Sequence, residues 1–217
     1  LRAQVKGLKM ADRNAQDGIS AMQIAEGSLN EISAIMQRMR ELSVEGATDT
    51  LTNTDRGYLN QEFSQLISEI DRIAEVTEFN GMQLLNGNWA AKDLQIGANN
   101  SANDRLVTTV ANMDTTGIGI DSNTIETKTN AQLSIEALDT AINSVNSQRS
   151  DIGSYVNRLE HSVTNLKNSA LNMQAAESQV RDVDVGNEMA NFTKLQILSQ
   201  AGTSMLSQAN QTTQGAM

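Results

Sequence analysis

Cysteine and proline are absent from this chain of 217 residues, aromatic side chains make up only 3% of it, and positive charge is in deficit. Without cysteine there can be no disulfide, no thiolate nucleophile and no cysteine-bound metal, and the redox compartment leaves no mark on the sequence. The net charge of -10 and pI near 4.5 argue against nucleic acid as a partner, because binding a phosphate backbone relies on Lys and Arg to displace counterions. No basic cluster offsets that acidity. No stretch approaches the roughly 18 consecutive apolar residues of a membrane span, and the start lacks the charged-then-apolar pattern of a secretory signal. With so few aromatics, most apolar side chains are Met, Ala, Ile and Leu, which fill a narrow helix seam better than a wide globular interior.

What is present is a stripe of apolar or small residues spaced alternately by three and four. It reads Leu1, Val5, Leu8, Ala11, Ala15, Gly18, Met22, Ala25, Leu29, Ile32, Met36, Met39. It recurs as Ile135, Leu138, Ile142, Val145, then Ile152, Val156, Leu159, Val163, Leu166, Ala170, Met173, with Val180 in phase. A repeat of this period buries a continuous edge only against another long helix, so the two ends of the chain are expected to pair.

The fold class expected is mainly α: a long antiparallel helical rod, coiled-coil-like, with a small β-hairpin region. The first helix runs to about Gly46, where Gly46-Ala47-Thr48-Asp49-Thr50 breaks the pattern, and would be on the order of 65 Å long. A second, about 54–76, follows Thr54-Asp55 as its N-cap pair and carries Leu59, Phe63, Leu66, Ile70 and Ile73. Between 77 and 128 the helical period disappears. Asn80-Gly81 and Asn86-Gly87 are hairpin-type turn signals there, and Leu94-Gln95-Ile96 and Leu106 to Val110 have strand character. A third helix spans about 130–178. A fourth, about 187–210, puts Met189, Phe192, Leu195, Leu198, Gly202, Met205 and Ala209 on one face with no obvious partner in the chain. The division expected is a rod domain over 1–180 and a partial carboxy-terminal helix over 181–217. The start at Leu1 inside a helical pattern and the stop at Met217 without a closing signal fit a fragment trimmed at both ends.

Catalytic and metal-binding chemistry finds little footing. His161 is the only histidine, so a nucleophile relay would have to be built around it, and a surface position on a long helix is the stronger reading. Asp182, Asp184, Gly186 and Glu188 echo a calcium loop but lack its spacing of oxygen ligands, and read better as a hinge before an acidic helix start. Gly117 and Gly119 supply two positions of a glycine loop with no Gly-Lys-Ser/Thr after them. In Gln37-Arg38-Met39-Arg40-Glu41-Leu42, Arg38 and Leu42 share a helix face, and Glu62 could lie beside it if the second helix folds back. That grouping fits a solvated charged face and equally an interface hot spot.

Several longer segments form a recognisable set. At the amino-terminal end these are Asn14-Ala15-Gln16-Asp17-Gly18-Ile19-Ser20, Ala25 to Glu31, Gln37 to Val44, Glu69-Ile70-Asp71-Arg72-Ile73 and Thr77 to Leu85. At the other end they are Asn157-Arg158-Leu159-Glu160-His161, Ala175 to Asp184 and Ile197 to Gln211. Together these segments resemble bacterial flagellin, and the resemblance covers nearly the whole chain. It implies the structural subunit of the flagellar filament, self-assembling, without catalytic site, metal or cofactor, and exported unfolded through the flagellar channel without a cleaved signal. It implies an inner coiled-coil domain made by the two termini and an adjoining helical domain with a β-hairpin.

The partners it implies are other flagellin subunits, the export chaperone, the filament cap and the hook-filament junction proteins. It further implies that Gln37, Arg38, Leu42 and Glu62 form the patch recognised by host Toll-like receptor 5 in the monomer, and a subunit interface in the filament. Met189, Phe192, Leu195, Leu198 and Met205 would form the assembly and chaperone-binding helix. The chain departs from full flagellins in lacking the amino-terminal inner helix and spoke, which leaves an expectation that it cannot elongate filaments alone. It also has only a short connection over 111–129, where many relatives insert outer domains. The alternative reading is a hook-filament junction protein. More remote are an unrelated coiled-coil adhesin and a flagellin-like enzyme, which the bare segment from Asn112 to Thr129 disfavours.

Overall fold

A computed structural model describes residues 1–182 and 184–214, with side chains described as far as Ala209. It divides into a unit of Arg2–Asn172 and a second unit from Met173 onward, to which Leu1 also belongs.

In the first unit, α1 (Arg2–Gly46) buries the expected stripe from Val5 to Met39 except for Leu8, which is half-buried, with Met22, Leu29, Ile32, Met36 and Met39 wholly enclosed. Its partner is α3 (Lys128–Arg181), which starts in this unit. The two run antiparallel. A Cβ placed on Gly46 would lie 3.3 Å from that of Ala131, Arg40 pairs with Asp139 at 2.6 Å, Arg149 with Glu26 at 2.9 Å, and Gly18 lies against Leu159. The heptad expectation therefore holds across the middle of both seams. It stops at their ends, because Leu1 is 53% and Val180 81% exposed, and α3 buries nothing beyond Ala170 among the described residues.

Between Gly46 and α2 (Asn53–Val76) the chain turns back along the second half of α1. Arg56, buried to 5%, closes this corner: its Nε donates to Gly46 O at 2.8 Å, Nη2 to Thr48 O at 2.6 Å and Nη1 to Asn53 Oδ1 at 3.0 Å. The last carbonyls of a helix have no partner within it, and here a neighbouring helix supplies one. The N-cap of α2 is Thr52, two residues before the Thr54-Asp55 pair expected to cap it. Asp55 is instead the third residue of a capping box, accepting from Thr52 N at 3.1 Å and Oγ1 at 2.7 Å while its own N–H donates to Thr52 Oγ1. At the far end of α2, Thr77 Oγ1 donates to Ser28 Oγ of α1 at 2.9 Å.

Two small antiparallel hairpins follow. Strands β1 (Glu78–Phe79) and β2 (Met82–Gln83) flank Asn80 at φ 52° and Gly81 at φ 74°, the left-handed pair that a two-residue hairpin turn requires. Strands β3 (Lys92–Gln95) and β4 (Arg105–Thr108) are joined through a 3-10 turn, Ala102–Asp104. The second hairpin lies on α1 where Gly18 leaves room: a Cβ there would come within 2.7 Å of Leu94 Cδ1. Asn86-Gly87 makes no hairpin; Gly87 has φ 84°, and Asn86 forms an isolated bridge with Asn112.

The connection from Val110 to Thr127 is a strap, not a free loop. Thr115 N and Oγ1 both donate to Asp71 of α2 at 2.9 and 2.7 Å, and Ile125 N donates to Asn60 at 2.9 Å. Ser134 of α3 donates to Thr124 O at 3.0 Å. Ile120 and Ile125 are fully buried. Phe63, Ile70, Leu138, Val145 and Ile152 complete one continuous core with them and α1. Burial of each Leu or Ile contributes roughly 1.5–3 kcal/mol, so this narrow core is held by number of side chains more than by their size.

One seam position is polar and lies outside the apolar heptad pattern. Between Val145 and Ile152 the inward place belongs to Gln148, 7% exposed, whose Oε1 accepts from Ala111 N at 3.1 Å and whose Nε2 donates to Thr109 O at 3.4 Å. It ties the strap's start to α3.

In the second unit, α4 (Val185–Gln214) begins where Asp184 accepts from Gly186 N at 3.0 Å and Asn187 N at 3.3 Å. That is an N-cap with the charge the helix N-terminus favours.

Candidate interaction surface

Arg38 stands on an exposed flank of α1, on the side facing α2. Its Nε donates to Glu62 Oε1 of α2 at 2.9 Å and its Nη1 to Glu41 Oε2 at 3.1 Å. The bond to Glu62, then that to Glu41, holds the Arg38 guanidinium above its ordinary pKa. Its side chain stays 49% exposed and that of Glu62 44%, so the pair spans two helices and still faces solvent. Arg40 performs the matching brace on the other flank, bonding Asp139 of α3; that bond raises Arg40 and lowers the Asp139 carboxyl below its usual range. Between the two braces lies an open groove of about 520 Å³ bordered by Gln37, Arg40, Glu41, Val44 and Glu45, with Val44 half exposed.

The structure thus brings Gln37, Arg38 and Glu62 onto one accessible face. It does not put Leu42 there. Leu42 is 1% exposed and belongs to the core shared with Phe63. The four-residue spacing from Arg38 predicts one shared face, but successive fourth residues on an α-helix advance by about 40°, enough to carry Leu42 from the rim into the interior. Leu42 can support this patch from beneath and cannot be touched by a partner on it.

The fourth helix presents a different surface. Met189, Phe192, Leu195, Leu198 and Met205 are all between 56% and 74% exposed, as are Ile197 and Leu206. Together these side chains leave an unusually large apolar area of α4 exposed.

The residues weighed for chemistry have structural surroundings. His161 is exposed on α3. Asp114 Oδ1 accepts from Gly117 N at 2.6 Å in a local turn. Among the described residues no group of His, Cys, Asp or Glu converges as metal ligands, and no helix is long and apolar enough to cross a membrane.

Comparison with known proteins settles the family. Residues 1–90 match the bacterial flagellin N-terminal helical region, and residues 135–216 the bacterial flagellin C-terminal helical region. The chain is 44% identical to a flagellin of Halalkalibacterium halodurans over 217 residues, which is all of this chain and 80% of that one. The crystal structure of Bacillus cereus flagellin matches with a TM-score of 0.62 at 34% identity, covering 76% of this chain and 94% of that one. A putative flagellar hook-associated protein from Vibrio parahaemolyticus shares the fold, with a TM-score of 0.64 at 14% identity over 81% of this chain and 92% of that one. The chain therefore belongs to the bacterial flagellin family, whose members are structural subunits of the flagellar filament and not enzymes.

Proposed function

We propose that the outer face of α1 and α2 centred on Arg38 has two uses: neighbouring subunits cover it in the filament, and host Toll-like receptor 5 recognises it in the free monomer. The observation that supports this is the Arg38–Glu62 bond, which fixes a guanidinium across two helices while leaving about half of each side chain exposed. A prepositioned arginine loses less conformational freedom when a partner docks, and arginine is over-represented among interface residues that dominate affinity. Gln37 belongs to the same face. Receptor signalling by monomer carrying Arg38→Ala or Glu62→Ala should fall by at least tenfold with the fold intact. Unchanged signalling would remove the receptor reading.

The apolar face of α4, with Phe192 and Leu198 at its middle, is proposed as the surface held by the export chaperone before assembly and by filament-core helices afterward. In this reading the rod extends over 1–180 and the core helix lies within 181–217, of which 183 and 215–217 fall outside the described residues; export needs no cleaved signal, and the cap and hook-filament junction proteins meet the subunit during growth. Phe192→Ala with Leu198→Ala should weaken chaperone binding. The alternative, a junction adaptor present in few copies, has the shared fold of the hook-associated neighbour in its favour. The 44% identity to a flagellin over the full chain favours the repeating subunit.

A further inference from the structure

The net charge of -10 conceals a polarity that appears only when α1 and α3 are laid side by side. At one end of the first unit, Arg2, Lys6, Lys9 and Arg13 recur on one face of α1 at helical spacing, all exposed. The antiparallel pairing that sets Gly18 against Leu159 brings Arg158 and Lys167 of α3 to the same end, also exposed. Asp12 and Glu160 are the acidic residues within these two stretches. None of Arg2, Lys6, Arg13, Arg158 and Lys167 is in an ion pair among the described residues.

The opposite end has the reverse character. From Glu31 to Glu78 the chain carries ten carboxylates against four arginines. All four arginines are engaged within the unit: Arg38 by Glu62 and Glu41, Arg40 by Asp139, Arg72 by Glu69, and Arg56 by backbone carbonyls. Glu31, Glu45, Glu75 and Glu78 are exposed and without an ion pair among the described residues.

These two ends cannot neutralise each other within one molecule. Their centres lie on the order of 45 Å apart along α1, several times the Debye length of about 10 Å at 0.1 M salt. A second molecule can. Two copies brought acidic end to acidic end repel, and a polyanion such as nucleic acid is opposed by the negative charge of the whole chain. The acidic end of another copy matches the basic end in both sign and setting.

We infer that the basic end formed by Arg2, Lys6, Lys9, Arg13, Arg158 and Lys167 docks on the Glu31–Glu78 end of a second copy, so that charge sets the head-to-tail direction in which subunits add. This goes beyond the receptor and chaperone surfaces and rests only on the chain being a filament subunit. Complementary potentials of this kind act mainly on association rate and on rejection of wrong orientations.

The test uses full-length subunit recovered from filaments and regrown on filament seeds at low salt. One variant carries Arg2→Glu, Lys6→Glu, Arg13→Glu and Lys167→Glu, making both ends acidic; the other carries Glu31→Lys, Glu45→Lys, Glu75→Lys and Glu78→Lys, making the acidic end basic. Circular dichroism establishes that each retains wild-type helix content. Each alone is expected to elongate about tenfold more slowly or worse, while an equal mixture recovers most of the wild-type rate by alternating copies. The neutral pair Arg13→Gln with Lys167→Gln should fall between. Either reversal growing alone at the wild-type rate, or a mixture no faster than its components, overturns the inference. Wild-type regrowth in the same assay keeps the subunit role separate from this outcome.

Discussion

Arg56 Nε lies 2.8 Å from the carbonyl oxygen of Gly46, so a side chain from the first turn of α2 closes the end of α1. Removing it by Arg56→Ala would strand the Gly46 and Thr48 carbonyls, one of them in a buried corner. Unsatisfied groups of this kind cost about 1–3 kcal/mol each, so a loss of about 3 kcal/mol is expected in urea unfolding. Arg56→Lys should recover little, because an ammonium cannot reproduce the planar fork that serves three acceptors. Full recovery by lysine would show that charge, not geometry, holds the corner.

Leu42 and Arg38 should separate cleanly in stability measurements. Truncating an enclosed leucine removes burial and leaves a cavity, so Leu42→Ala is expected to cost about 2–5 kcal/mol. Arg38→Ala, on an exposed pair, should leave the thermal midpoint close to that of wild type. Lost receptor signalling in a Leu42 variant would therefore report unfolding, whereas the same loss in an Arg38 variant would report contact.

Gln148 makes a prediction about local opening. Gln148→Leu completes the apolar heptad, yet Ala111 N–H loses its acceptor and Thr109 O its donor. Amide exchange at Ala111 should accelerate by about tenfold or more even where global stability changes little. Unaltered exchange at Ala111 would mean that the strap's start is held by the Val110–Trp89 backbone bond alone.

Acid should loosen the corners first. The bonds from Thr52 hold Asp55 below the ordinary aspartate value of 3.8, and the Lys128 bond does the same for Asp49. A carboxyl with a depressed folded pKa stabilises the fold fully above its unfolded value and loses that contribution as pH falls through the folded value. The melting temperature of wild type should thus exceed that of Asp55→Asn at neutral pH and converge with it below 3.8. A difference between the two that persists unchanged into strong acid would contradict the capping box.

The parts of this fold legible in sequence are those that repeat. Apolar spacing located α1, α2 and α3, and Asn80-Gly81 located its hairpin, because both signals are local and periodic. What stayed hidden depends on partners far away in the chain. Gln148 looks like an interruption of the seam until Thr109 and Ala111 are beside it. Leu42 shares a spacing with Arg38 but not a face, a distinction set by where α2 packs. The basic end is invisible in composition, which averages it with the acidic end, and two of its six members, Arg158 and Lys167, lie some hundred and fifty residues from the other four in sequence.

The same Gln148 settles a question that a heptad repeat leaves open. Sliding α3 along α1 by one heptad, about 10 Å, would match apolar layer to apolar layer again, and apolar layers alone discriminate weakly between such alignments. The slip would carry Gln148 away from Thr109 and Ala111 and bury its amide against aliphatic neighbours. A single polar position of this kind fixes axial alignment at a modest cost in stability. Every copy then has the same spacing between its two ends, which a lattice built from many copies needs if its errors are not to accumulate.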